Sequence, residues 1–250
     1  MILRRVSAAL RRQDWPTVTV EFFLVVLGVL LALQLDNWNE RRKDRALFQD
    51  YLVQLQADLR EDIKQAERRI EASRSLDERA SYLLSVIEGK APQPVDQNRL
   101  VSAVLTAGYA YLDLVNRQTY DELISTGNLR LFPDTALKRE VVSYYANQEL
   151  GTQWNMLIQS VQIDYRRATR NLLTAEQFRW ARMHWRDFST AAPPMDMQRF
   201  MRHVAGNEGL VGVINAMAEI QQRTRDDSRG TAEDAGRLLE QLEQFERDQG

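Results

Sequence analysis

The chain has no cysteine and only two histidines in 250 residues. Without thiols, disulfide frameworks, thiol catalysis and cysteine-ligated zinc are excluded. His184 and His203 each lack a Glu or His three or four positions away, so neither makes a helical metal-ligand pair; Asp187, three residues after His184, is an isolated acid. Serine-histidine-acid catalysis would need these same histidines. Neither a G-x-S-x-G elbow nor a phosphate-cradling glycine loop is present. The sequence predicts no cofactor, no metal and no enzymatic site. An excess of charge of one sign is also missing: the formal net charge is -2, with acids and bases mixed. A basic face is the footprint that nucleic-acid binding needs, so no nucleic-acid partner is expected. The six prolines and eleven glycines fall mostly between periodic segments, and sustained period-two alternation is absent.

One apolar run stands out against this background. Phe22 to Leu35 carries no charge, and Glu21 is the only charge between Asp14 and Asp36. As a helix this interval is about 31 Å long, close to the thickness of a bilayer core. Trp15 and Trp38 stand near its ends as interfacial anchors, with arginines beyond both. The exit reads LLALQLDNW, with Leu31 and Leu33 where a cleaved signal peptide needs small residues, so the run is expected to stay as an anchor. Basic residues tie across the span, four before it and Arg41, Arg42, Lys43 and Arg45 after it. A short N-terminal arm and a long C-terminal domain favour the N-terminus inside and the bulk of the chain outside. The organisation expected is a basic arm over 1–14, a transmembrane helix over 15–38 and an extramembrane helical bundle over 39–250.

Beyond the span, Phe48, Leu52, Leu55, Leu59, Ile63, Ala66 and Ile70 recur at steps of three and four, a helical stripe. No proline lies between Trp38 and Ala91, so one helix of about 110 Å can reach Glu88, with a break near Ser73 to Leu76 as the alternative. Asp96, Asp134 and the Thr174/Gln177 capping box open later helices, and Gly127 stops one in the left-handed conformation. Between these, residues 108–116 read as a connection burying Tyr109, Tyr111 and Leu114. Tyr120, Leu123 and Ile124 form one face, and 128–132 reads as an extended link. Leu137, Val141, Tyr144, Tyr145, Leu157, Ile158, Val161, Tyr165 and Leu172 continue the apolar spacing, with one of the paired tyrosines inward and the other on the surface. A last long helix carries Leu210, Ile214, Met217 and Ile220, and resumes its stripe at Leu238 after a polar stretch near Gly230. The fold class predicted is all-α: an antiparallel bundle of about four main helices, the first continuous with the anchor.

Two stretches carry a family resemblance. VEFFLVVLGVLLALQLDNWNERRK supplies Glu21, Gly28, Gln34, Asn37, Trp38, Asn39 and Glu40; TYDELISTGNLRLFPDTALKREVVSYY supplies Glu122, Leu123, Ile124, Gly127, Asn128, Leu129, Leu131, Tyr144 and Tyr145. They resemble the VVxGxxxALQ…NWNE and ELIxSGNLxLI blocks of a family of uncharacterised bacterial single-pass membrane proteins catalogued as a domain of unknown function. Phe132 and Pro133 depart mildly from the second block. The resemblance implies membrane anchoring, in a bacterial inner membrane, and carries no activity.

Glu21, Gly28, Ala32 and Asn39 fall on one stripe of the span at 100° per residue. Gly28-x-x-x-Ala32 is a small-xxx-small pattern that lets two spans approach, so this stripe is the candidate helix–helix seam. The partners it implies are the lipid bilayer and either a second copy or another membrane protein. Tyr120, Glu122, Asn128 and Trp185 are the candidate surface or pocket. Phe178, Trp180, Trp185 and Phe188, interleaved with Arg179, Arg182 and Arg186, read more readily as packing than as a ligand site. The functional expectation is a membrane-anchored helical scaffold or interaction protein that self-associates. The alternative is an extracytoplasmic sensor or ligand-binding module, its pocket near Tyr109, Tyr120 or Trp185, acting through a membrane partner.

Overall fold

The computed structural model describes residues 15–112, 115–149 and 151–249. The basic arm over 1–14 and Leu114 lie outside them. Among the described residues the chain is all-α: α1 (Trp15–Ile87), α2 (Gln97–Thr106), α3 (Gln118–Ser125), a 3-10 turn (Asn128–Leu131), α4 (Thr135–Glu149), α5 (Gly151–Thr169), α6 (Ala175–His184), α7 (Met197–Ala205) and α8 (Leu210–Gln249). α1, α4, α5 and α8 are the long helices, and the other four are short additions to the expected bundle. The chain divides into two compact units, Met1–Val53 and Gln54–Gly250.

In the first unit, α1 carries the apolar run. It is the one described helix long and apolar enough to cross a membrane. Phe22, Leu24, Val25, Leu30 and Leu35 are each more than half exposed, and Val26 is half-buried. A contiguous exposed apolar surface of this kind marks an interaction face.

The second unit is built on residues 54–87 of α1 lying antiparallel to α8. Three polar pairs run in opposite order along them: Gln56 donates to Glu246 (2.9 Å), Arg60 pairs with Glu243 (2.6 Å), and Ser73 donates to the Gln221 carbonyl (2.7 Å); Arg225, one turn further along α8, pairs with Asp77 (2.9 Å). α1 runs unbroken through Ser73 to Leu76. The stripe falters there only in hydrophobicity, because the buried face passes through Leu55, Leu59, Asp62, Ala66, Arg69, Ser73 and Leu76. Ile63 and Ile70, which the apolar pattern selects, are only half-buried beside it. α8 behaves alike: its buried row continues from Ile220 through Gln221, Thr224, Ser228 and Thr231 to Ala235 and Leu238. The two polar stretches meet through Ser73, whose hydroxyl donates to Gln221, and through Arg225, which donates to the Ser73 carbonyl and to Asp77.

The main apolar core gathers α2, α5, α6, α7 and the start of α8 around Leu83, Val104, Ile158, Tyr165, Trp180, Phe200 and Ile214. Helix entries follow their caps. Asp96 accepts from the Arg99 N–H (3.0 Å), Asp134 from Ala136 (2.6 Å), and Thr174 and Gln177 make the reciprocal capping box. Gly127 is left-handed at φ 72. Several expectations fail. Residues 128–131 form a 3-10 turn rather than an extended link, because the glycine turns the chain into another tight helical turn; only Phe132 is extended. Tyr144 and Tyr145 are both buried, since α4 packs that edge against α1 and α3. Tyr111, Ile124 and Leu157 are more than a third exposed, lying at the margins of their buried faces.

Candidate functional site

The end of the second unit formed by α2, α5 and α6 holds a cavity of about 1000 Å³. Its apolar floor is Val104 and Leu105 from α2, Leu173, and Phe178 from α6. Arg166 and Arg170 are four residues apart at the end of α5; Arg179 and Arg182 are three apart on α6. The three-residue spacing puts Arg179 and Arg182 on one face of α6, Arg170 lies in the turn just after α5, and all four arginines line the cavity. None of the four is paired with a carboxylate among the described residues, and no acidic residue lines the cavity. Gly108 closes one wall: a Cβ there would overlap the ring of Tyr165, a buried residue whose hydroxyl donates to the Val104 carbonyl (2.9 Å). A second cavity of about 570 Å³ shares Arg170 and includes Arg199 and Arg202. Together they draw on a basic segment of the chain, since residues 166–202 hold eight arginines against three acids.

A separate cluster is sealed between α1, α3 and α4. Asp62, 1% exposed, accepts the backbone N–H of Asn116 (2.8 Å) and the hydroxyl of Tyr144 (2.9 Å). Asn116 in turn donates its side-chain amide to Asp58 (2.6 Å). Burial lifts the Asp62 carboxyl to about 6; its hydrogen bonds to Asn116 and Tyr144 hold it lower than burial alone would, and the nearby Asp58 charge raises it further. Tyr145 stacks on Tyr120 with centroids 4.4 Å apart and meets Tyr144 edge-on at 4.9 Å. Burial pushes its hydroxyl well above the ordinary tyrosine range, and that hydroxyl has no hydrogen-bond partner among the described residues. Arg117 donates to the Tyr145 carbonyl (2.9 Å) and lies over Tyr120. Asp62 can exchange a proton, but its burial keeps solvent-borne reactants away from it.

The residues selected from sequence are not brought together. The side chains of Trp15 and Glu21 lie outside the described set. Gly28, Ala32 and Asn39 are exposed on α1, and a Cβ at Gly28 would meet nothing within 4 Å. Trp38 is 62% exposed. Tyr120 is buried under Tyr145, Glu122 is exposed and Asn128 half-buried. Trp185 packs edge-on against Tyr109 at 6.3 Å with Arg186 over its ring. Of the three tyrosine and tryptophan positions named for a pocket, only Tyr109 lines the cavity. The aromatic group of α6 divides: Trp180 is core, stacked on His184 and Phe188, whereas Phe178 lines the cavity. His184 and His203 each bond the carbonyl four residues before them.

Asp62, Asn116 and the arginine set were missed. Asp62 sits on the same steps of three and four as Leu59 and Ala66, a signal that apolar counting discards. The arginines escape notice because whole-chain charge averages them against acids elsewhere.

An all-α fold with one helix apolar enough to span a membrane, and no assembled catalytic constellation among the described residues, defines a helical protein with a candidate anchor. The chain belongs to the family of unknown function DUF6090, whose model matches residues 21–150. That interval contains the residues named from both sequence blocks and the whole Asp62–Tyr144 cluster; it includes Val104, Leu105, Gly108 and Tyr109 of the cavity but stops before the four arginines. Comparisons with curated proteins and with solved structures give no match.

Proposed function

We propose that this chain is a membrane-anchored helical scaffold or interaction protein that works without catalysis and self-associates through its span. The anchor sits in a bacterial inner membrane, with the N-terminus cytoplasmic and the bundle periplasmic. The observation that supports the reading is the exposed face of α1, where Gly28 and Ala32 leave a smooth track among large apolar side chains. Small residues four apart allow close backbone approach, and packing then drives association in lipid. Crosslinking of the intact protein in membranes is expected to trap defined oligomers, and Gly28→Ile to abolish them. Unchanged oligomers in that variant would remove the seam. A C-terminal reporter fusion active only in the periplasm tests the orientation.

A second reading is a ligand-binding module acting through a membrane partner, and the arginine-lined cavity favours it. Cavities of about 300–1000 Å³ with apolar walls and a few convergent polar groups are the usual form of small-molecule sites. A ligand-dependent rise in melting temperature of the purified full chain is the expected result.

A further inference from the structure

We infer that the cavity between α2, α5 and α6 binds a phosphate monoester carrying an apolar body, its phosphate held by Arg166, Arg170, Arg179 and Arg182. This assignment rests on the ligand-binding reading and adds the chemical class.

Four arginines line one cavity that no acidic residue lines. Their mutual repulsion goes unrelieved by the protein itself, although elsewhere in the chain arginines pair locally, as Arg167 does with Asp164 (3.1 Å) and Arg229 with Asp226 (2.9 Å). All four are exposed, so what a ligand gains comes from several guanidinium groups acting on one anion rather than from burial of any one of them. A phosphate monoester carries a charge of about -1.5 to -2 at neutral pH and three strong acceptor oxygens. It accepts paired N–H groups from the planar guanidinium fork, which a monovalent carboxylate can do from only one or two arginines at once. The amino end of α6, where Thr174 and Ala175 line the same cavity, adds partial positive charge.

The rest of the cavity asks for something other than a bare ion. Inorganic phosphate would occupy a small part of about 1000 Å³ and leave Leu105, Leu173 and Phe178 facing water. Phe178 is 46% exposed, a large apolar surface that a ligand's hydrocarbon or aromatic body would cover. The adjoining cavity with Arg199 and Arg202 extends the positive field and would draw such an anion toward Arg170. The ester can come from a lipid or from a soluble phosphorylated compound.

The test uses the full chain in phosphatidylcholine nanodiscs, titrated calorimetrically with four probes: dihexanoyl phosphatidate, naphthyl phosphate, inorganic phosphate and dihexanoyl phosphatidylcholine. Saturable binding of either ester, at least tenfold tighter than the last two, is expected; the ester that binds identifies the source. Arg166→Gln/Arg170→Gln and Arg179→Gln/Arg182→Gln are each expected to weaken that binding tenfold or more, with the melting temperature of the free protein little changed. Inorganic phosphate binding as tightly as the esters, or binding indifferent to both arginine pairs, overturns the assignment. Phosphatidylcholine binding alone overturns the phosphate and leaves the ligand-binding reading standing. Binding of none of the four overturns both.

Discussion

The hydroxyl of Tyr144 donates to the carboxylate of Asp62 at 2.9 Å, across 82 residues of sequence. The contact ties α4 to α1 inside the part of the chain that matches the family. It also fixes a pH response. Burial raises the Asp62 carboxyl from 3.8 to about 6, so the folded chain keeps that proton where the unfolded chain has released it. The contribution of this group to stability is full below pH 4 and is lost as pH rises through about 6. Asp62→Asn should therefore gain stability relative to the parent between pH 4 and pH 7, measured as the difference in melting temperature across that range. Tyr144→Phe removes a donor that favours the charged form, so it should move the transition to higher pH. A pH-independent difference between Asp62→Asn and the parent would refute the linkage.

Gly108 is required by proximity rather than by backbone angle. A methyl group there overlaps the Tyr165 ring, which is buried and cannot swing out without losing its bond to the Val104 carbonyl. Gly108→Ala should cost about 2–3 kcal/mol, read from urea unfolding.

Gly127 is required by angle. At φ 72 it has open space around it, so an added Cβ meets backbone strain and no neighbour. Gly127→Ala should cost about 1 kcal/mol, and Gly127→Asn less, because asparagine tolerates the left-handed region. Thermal unfolding of the two variants checks the order.

Asp77 and Arg225 link α1 to α8 at 2.9 Å, with the arginine side chain 10% exposed. Asp77→Ala leaves that guanidinium without its carboxylate and should destabilise the chain by about 2 kcal/mol. Because the two helices meet only in the folded state, the loss should appear in equilibrium unfolding.

The helices were legible because their punctuation is local. Asp96, Asp134 and the Thr174/Gln177 box each act within three residues, so caps read from sequence reappear in the structure. The buried faces were legible only where they are apolar. Asp62, Arg69 and Ser73 occupy core positions of α1, and nothing within a few residues announces it. The burial of Asp62 and Ser73 depends on Asn116, Tyr144 and Gln221, partners that the fold supplies from far along the chain. The cavity was hidden for the same reason: Phe178 and Trp180 read as one aromatic group, yet about half a turn of α6 separates them and sends the first to the cavity and the second to the core. The candidate seam needed no fold at all, since the stripe of Gly28 and Ala32 follows from helical period alone.

The grouping of arginines over residues 166–202 makes the molecule lopsided in a way its formal charge of -2 conceals. At neutral pH and low salt such a protein should cling to a cation-exchange resin that its average composition says it ought to ignore, and elute as salt is added. Its behaviour during purification would thus be set by where its charges lie more than by how many it has.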